Sequence, residues 1–265
     1  MRNFVKLILA SLLVLAMAFA LVGCSGQSQD NDQQDQAAAP ETKKLVVGTN
    51  ATFPPFEMQE GQELVGFDMD LIRAIGEAMG YEVEIKHMDF KALIPSIQSG
   101  KIDAAIAGMS ITPERLESVN FTEPYFDAGL IIAVHKDNQD IKSTEDLKGK
   151  KLAAQNGTIG AAYCDEVKKA DASTEVRIFD DIGAAFMELE RGGVDAVVND
   201  HPVTAYYLKV NSDTNVKMVG DIFSADDQYG IAVKKDNTQL LNDLNEGLAK
   251  IKEDGTYDEI YSKWF

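Results

Sequence analysis

The chain has 265 residues, with 25 lysines and arginines against 43 aspartates and glutamates, for a formal charge of −18 at neutral pH. Phosphate recognition needs clustered cations and the sequence has no long basic run, so a nucleic-acid partner is excluded. A hydrophobic fraction of 45% over this length is enough for one large core or two smaller ones, and it excludes disorder throughout.

At the N-terminus Arg2 and Lys6 precede an apolar run from Leu7 to Leu21, and Val22-Gly23-Cys24 follows. That is the order of a secretory signal, and its apolar part falls short of the roughly 20 residues a helix needs to cross a bilayer. A small residue before a cysteine resembles the box read by lipoprotein signal peptidase. The expectation is therefore a signal over residues 1–23 and a thioether-linked lipid, with acyl chains such as palmitate, on Cys24. It would hold the protein on the extracytoplasmic face of a bacterial cell membrane. An ordinary cleaved signal with a chance cysteine is the alternative. From Ser25 to Thr42 the sequence has no large apolar side chain to offset the entropy of ordering, so residues 24–42 read as a flexible tether.

With Cys24 used this way only Cys164 is left, so no intramolecular disulfide is expected and Cys164 reads as a small buried apolar side chain. The three histidines are scattered and no Cys/His cluster exists, so neither a metal site nor a cofactor is expected.

The predicted elements begin with a strand at Leu45–Thr49, followed by helical spacing of Met69, Ile72, Ile75 and Met79 between Asp68 and Met79. A second strand at Val83–Ile85, a helix at Leu93–Gln98 and a third strand at Ile102–Ala107 continue the alternation, which argues for a mostly parallel sheet covered on both faces. The stretch from Leu93 to Gly108 then recurs, in pattern, as Ala185 to Asp200. In each copy an amphipathic helix ends near a glycine, and Ile-Asp-Ala or Val-Asp-Ala opens an apolar strand. Lys151–Gln155 likewise repeats the opening strand. Two α/β lobes of roughly a hundred residues each follow from the repeat; one large sheet of similar βα units is the alternative.

Ligands of open parallel sheets gather at the C-terminal ends of the strands. That rule selects Asn50, Gly108-Met109-Ser110, Asn156-Gly157-Thr158, and Asn199 with Asp200. Thr112 can cap a helix that Pro113 opens, which places Arg115 in the first turn, where a cation is disfavoured unless it faces an anion. Alone, Arg115 also reads as a solvated surface arginine, and Asp200 as a cap before Pro202. Together they describe a receptor for a zwitterion, the guanidinium taking a carboxylate and Asp200 an ammonium. Phe53, on a loop stiffened by Pro54 and Pro55, and Phe90 read either as core or as walls of a site. Asp226 and Asp227 sit in a polar turn and read as solvated. No nucleophile–base arrangement or phosphate-cradling glycine loop is present, so an enzyme is not expected.

These residues fall in longer stretches: Gly48-Thr49-Asn50-Ala51-Thr52-Phe53-Pro54-Pro55-Phe56-Glu57, Gly66-Phe67-Asp68-Met69-Asp70-Leu71, Ala107 to Arg115, and Asp254 to Phe265. In that order they resemble the bacterial extracellular solute-binding proteins, family 3, which serve amino-acid ABC importers, over essentially all of residues 43–265. Met88-Asp89-Phe90 and Gln228-Tyr229-Gly230-Ile231-Ala232 are most similar to the glutamine-binding members. The resemblance implies a type II periplasmic-binding-protein clamshell with a two-strand hinge. Lobe 1 would comprise residues 43–127 and 227–265, and lobe 2 residues 128–226. It implies a monomer that delivers its amino acid to an ABC permease and its ATPase. Arg115 would hold the α-carboxylate with help from Ser110 and Gly108, Asp200 would hold the α-ammonium, and Phe53 and Phe90 would sandwich the side chain. Thr158 and Ile159 would add contacts from lobe 2.

Where the glutamine binders carry an acid, a lysine and a histidine, this chain has Asn50, Gln155 and Asn199. The neutral Asn50 favours a polar, uncharged ligand, glutamine foremost, because an unpaired charge in a closed cleft is costly. Gln155-Asn156-Gly157-Thr158 instead resembles binders of basic amino acids (Arg, Lys, His), the alternative. A dehydratase on the same fold would need a general acid that these three neutral residues do not supply.

Overall fold

A computed structural model describes residues 43–265. The expected signal, the lipidated Cys24 and the whole of the tether lie outside the described residues. In chain order, β1 (Lys43–Thr49) leads to a small three-stranded sheet of β2 (Thr52–Phe53), β3 (Glu57–Glu60) and β4 (Glu63–Val65). Helix α1 (Phe67–Met79) follows, and its apolar spacing buries Met69, Ile72 and Ile75. It ends at Gly80, whose φ of 72° and N–H bond to the last turn make a left-handed cap. Next come β5 (Tyr81–His87), α2 (Leu93–Gln98), β6 (Ala104–Ala105), α3 (Pro113–Ser118) and β7 (Val119–Phe121). The strand expected over Ile102–Ala107 is paired only at Ala104 and Ala105. Past it the chain turns at Gly108 (φ 51°) instead of running on.

After β8 (Phe126–Asp127) a second sheet is built from β9 (Leu130–His135), β10 (Lys151–Gln155), β11 (Glu175–Phe179), β12 (Ala196–Asp200) and β13 (Val216–Phe223). Helices α4 (Ile159–Ala170), α5 (Ile182–Glu190) and α6 (His201–Val210) cover it. The chain returns through β14 (Gln228–Tyr229) to β15 (Ala232–Lys234), α7 (Thr238–Glu253) and α8 (Thr256–Trp264).

The two five-stranded sheets have the orders β5-β1-β6-β15-β7 and β11-β10-β12-β9-β13. In each, three neighbouring strands run parallel, the next is antiparallel to them, and the edge strand is antiparallel to that one. β8 and β14 pair antiparallel as the two connections between the sheets, with Tyr229 opposite Phe126. This is the two-lobe α/β clamshell with a two-strand hinge. Phe265 at the end of the chain packs on Phe56, Phe67 and Phe126, at ring distances of 5.4, 5.5 and 5.0 Å, and so ties the last helix to the hinge. Cys164 is free and fully buried, and burial pushes its thiol up to about 12, so its role is packing.

Candidate functional site

The C-terminal ends of β1, β6, β10 and β12 converge on a cavity of about 250 Å³ lined by Phe53, Phe90, Ala107, Gly108, Ser110, Arg115, Gln155, Thr158, Ile159 and Asp200. Only about 10 Å³ of that space admits the centre of a water-sized sphere, so its walls stand close together.

Arg115 reaches the cavity because Thr112 caps α3, its hydroxyl accepting the Arg115 N–H at 3.2 Å, and Pro113 opens the helix. Its guanidinium donates to the Ser110 carbonyl at 2.6 Å and, across the cleft, to the Gly157 carbonyl at 3.0 Å. It also lies 5.3 Å from the centre of the Phe90 ring. Two of its five N–H donors are used, and the others remain for an anion. Burial lowers the pKa of this cation, opposed by the fields of Asp200 and Asp227.

Asp200 closes β12 and is 4% exposed. The Tyr229 hydroxyl from the hinge donates to it. Burial first, then the charge of Asp227, push the Asp200 carboxyl up to about 7, with Tyr229 and Arg115 opposing. An ammonium seated beside it would return it to the ionised state.

Of the eleven expected ligand residues, nine line the cavity: Phe53, Phe90, Gly108, Ser110, Arg115, Gln155, Thr158, Ile159 and Asp200. The other two stand behind its wall. Asn50 is 2% exposed and its short amide is consumed locally, donating to the Met88 carbonyl at 3.0 Å and accepting from Thr52 and Gln155, each at 2.8 Å. Asn199 points to the α6 side, where its amide donates to Thr204 and the Asp200 carbonyl. Alternation along β12 sends neighbours to opposite faces, so Asp200 can face the cavity only if Asn199 does not.

Gln155 is one methylene longer than Asn50. Both of its amide protons are engaged, by Asn50 Oδ1 at 2.8 Å and by the Asp180 carbonyl at 3.1 Å. Its carbonyl oxygen is the polar atom left for the cavity it lines. Thr158 caps α4 and its hydroxyl donates to the Gln155 backbone carbonyl at 2.8 Å, leaving the side-chain Oε1 free, and so fixes the loop that presents both residues.

Asp227 was expected in solvent and is instead 9% exposed, one oxygen without a partner. Burial raises its carboxyl above the usual range, opposed by the nearby Ser110, the Gly129 amide and the charge of Arg115. It sits where β14 enters the hinge, so a polar turn in sequence becomes the back of the Arg115 site. Its proximity to Asp200 depends on lobe packing, which no local signal reports.

A family model described as "Bacterial extracellular solute-binding proteins, family 3" matches residues 45–265. The chain is 39% identical over 232 residues to the "ABC transporter arginine-binding protein 1" of Escherichia coli (strain K12), covering 86% of this chain and 93% of the relative. A solved ancestral arginine-binding protein bound to arginine is 51% identical, has a TM-score of 0.80, and covers 84% of this chain and 98% of its own. An ancestral arginine-binding protein bound to glutamine gives 51% and 0.79, with 84% and 97% coverage.

Proposed function

Because the chain belongs to the bacterial extracellular solute-binding proteins, family 3, we propose that it captures a cationic L-amino acid, arginine foremost, for an amino-acid ABC importer. The lobes close over the ligand outside the cell, and the closed form delivers it to a membrane permease driven by its ATPase. Arg115 takes the α-carboxylate through a charge-assisted pair, Asp200 takes the α-ammonium, and Phe53 and Phe90 flank the side chain.

The observation that carries the choice of a cation is the state of Gln155. With both amide protons committed to Asn50 and Asp180, it offers the cavity an acceptor and no donor. A guanidinium, which only donates, complements that oxygen; a glutamine side chain can donate to it as well, but brings a carbonyl acceptor for which Gln155 offers no donor. The local charges add support. Asp200 and Asp227 face one guanidinium, and a zwitterion alone leaves their excess negative charge in place, whereas a cationic ligand balances it. The arginine binders among the relatives weigh the same way.

Glutamine is the second reading, favoured by the ancestral relative solved with glutamine. Anchoring through Cys24 and a monomeric state belong to the same proposal. Turnover of a prephenate-like acid is not part of it, since the one carboxyl lining the cavity is assigned to the ammonium.

Titration calorimetry across the twenty amino acids tests the reading. Arginine should bind at micromolar strength or better, about −8 kcal/mol, with glutamine at least tenfold weaker. Glutamine binding tighter than arginine would transfer the assignment to the second reading, and no heat from any amino acid would end both.

A further inference from the structure

One cluster of buried acids lies beneath the cavity without touching it. Glu57 on β3 and Asp68 in the first turn of α1 are both 0% exposed. Their backbones are locked together, because the Asp68 N–H donates to the Phe56 carbonyl at 2.9 Å and Gly66 packs directly on Glu57. The side chains lie within hydrogen-bonding reach of each other.

Of the four carboxyl oxygens only Asp68 Oδ2 is satisfied, accepting from the Gly108 N–H and from the Tyr125 hydroxyl, each at 2.8 Å. Both Glu57 oxygens and Asp68 Oδ1 have no partner, and neither acid has a cation among its hydrogen-bond partners. Two carboxylates buried side by side cannot both ionise, and unmatched buried oxygens are expensive. A single proton on Glu57, donated to Asp68 Oδ1, pairs the two acids and leaves Asp68 ionised toward Gly108 and Tyr125. The position of Asp68 at a helix N-terminus also favours the anion there.

We propose that Glu57 is a protonated acid sharing its proton with Asp68, and that this pair is the positioning device for the Gly108 turn at the floor of the ligand cavity. Gly108 holds a φ of 51°, open to glycine at low cost, and a Cβ placed there would stand 3.1 Å from the Phe53 ring. Its N–H points down to Asp68, so the Ala107 carbonyl of the same trans peptide points the opposite way, and both residues line the cavity. The groups facing the pair are Tyr125, the Gly108 amide and, at longer range, the charge of Asp200. Burial accordingly raises Glu57 well above the usual carboxyl range and Asp68 to about 6.

The inference rests on the ligand-site reading above only for its binding arm. Infrared spectra of the intact chain at about pH 8, where exposed glutamates are ionised, should contain a protonated-carboxyl C=O stretch that shifts on ¹³C-glutamate labelling. Among the described residues Glu57 is the one buried glutamate, and the band should vanish in E57Q. D68A should accelerate Gly108 amide exchange and weaken arginine binding about tenfold, as for a buried N–H left without its acceptor. D68N, which keeps an oxygen for Gly108, should restore binding to within about threefold. A label-insensitive spectrum overturns the shared proton, even if D68A fails to fold. Unchanged Gly108 exchange or unchanged affinity in D68A overturns the positioning role. If wild-type protein binds no amino acid, the ligand reading fails while the infrared and exchange results still decide this one.

Discussion

The two lobes build the same unit and finish it differently. In both, a helix ends on a glycine at φ 73°, Gly100 in one lobe and Gly192 in the other. In both, the next aspartate ties back to the opening strand by the same two bonds. Asp103 accepts the Val46 N–H at 2.8 Å and returns its own N–H to the Val46 carbonyl at 2.8 Å. Asp195 does the same with Lys151, at 2.8 and 2.7 Å. Registers agree as well: Val47 and Gly48 pair with Ala104 and Ala105, and Leu152 and Ala153 pair with Ala196 and Val197. By this correspondence Gly108 matches Asp200, and Asn50 matches Gln155. The scaffold is common, and the chemistry sits at the four places where the strand ends diverge.

The sharpest way to break the comparison is to remove a group present in one lobe alone. Arg115 has no counterpart in the second lobe, and R115A should weaken arginine binding by about 2–5 kcal/mol, as for one partner of a buried charge pair. Calorimetry reads this directly, and a loss below threefold would make Arg115 a surface residue.

Asp200 is the second lobe's contribution, and D200N should cost less, about tenfold, because Tyr229 can still donate to the amide oxygen. The acid carries a pH signature that the amide lacks. Ionised above about 7 and protonated below it, Asp200 attracts an ammonium only on the alkaline side. Arginine affinity should therefore fall as pH drops from 8 to 6 in the wild type and stay flatter in D200N. Stability of the free protein runs the other way. A carboxyl raised above its unfolded value of about 3.9 contributes stability that is full below that value and is lost as pH rises through 7. The ligand-induced rise in Tm should thus be larger at pH 8 than at pH 6; an equal rise would separate Asp200 from the ammonium.

The shared part of the units can be tested by a matched pair. D103A and D195A each remove one side-chain acceptor from the same backbone position, so each should lower stability by about 1 kcal/mol with affinity unchanged. Denaturant unfolding that found one much costlier than the other would mean that the likeness is one of pattern and not of energetics.

The repeat explains why so much was legible. The glycine cap, the Asp-Ala strand start and the apolar periods are local signals, and local hydrogen bonds realise them. Arg115 was legible for the same reason, since its place follows from the Thr112 cap and Pro113. Asp227 and the Glu57–Asp68 pair were not. Their burial arises where the hinge meets β6 and where β3 meets α1, so it depends on contacts between segments distant in sequence. The place of Asn50 just past β1 predicts a ligand contact, yet strand-end position alone does not say whether a side chain clears the wall.

That last distinction supports the smallest expected effect. Asn50 and Gln155 occupy corresponding strand ends, and each donates to the carbonyl just past the neighbouring strand, Met88 at 3.0 Å and Asp180 at 3.1 Å. The symmetry breaks in one bond, the Gln155 amide donating to Asn50 Oδ1 across the cleft. Removing that acceptor in N50A frees the Gln155 amide to turn and present a donor to the cavity. Arginine should then lose about threefold in affinity, within the range of one hydrogen bond, while glutamine holds or gains. The ratio of the two affinities is the quantity to measure, since a general loosening of the cleft would weaken both alike. A ratio unchanged by N50A would mean that Gln155 is oriented by Asp180 alone, and the preference for a cation would then rest on the charge of Asp200 and Asp227.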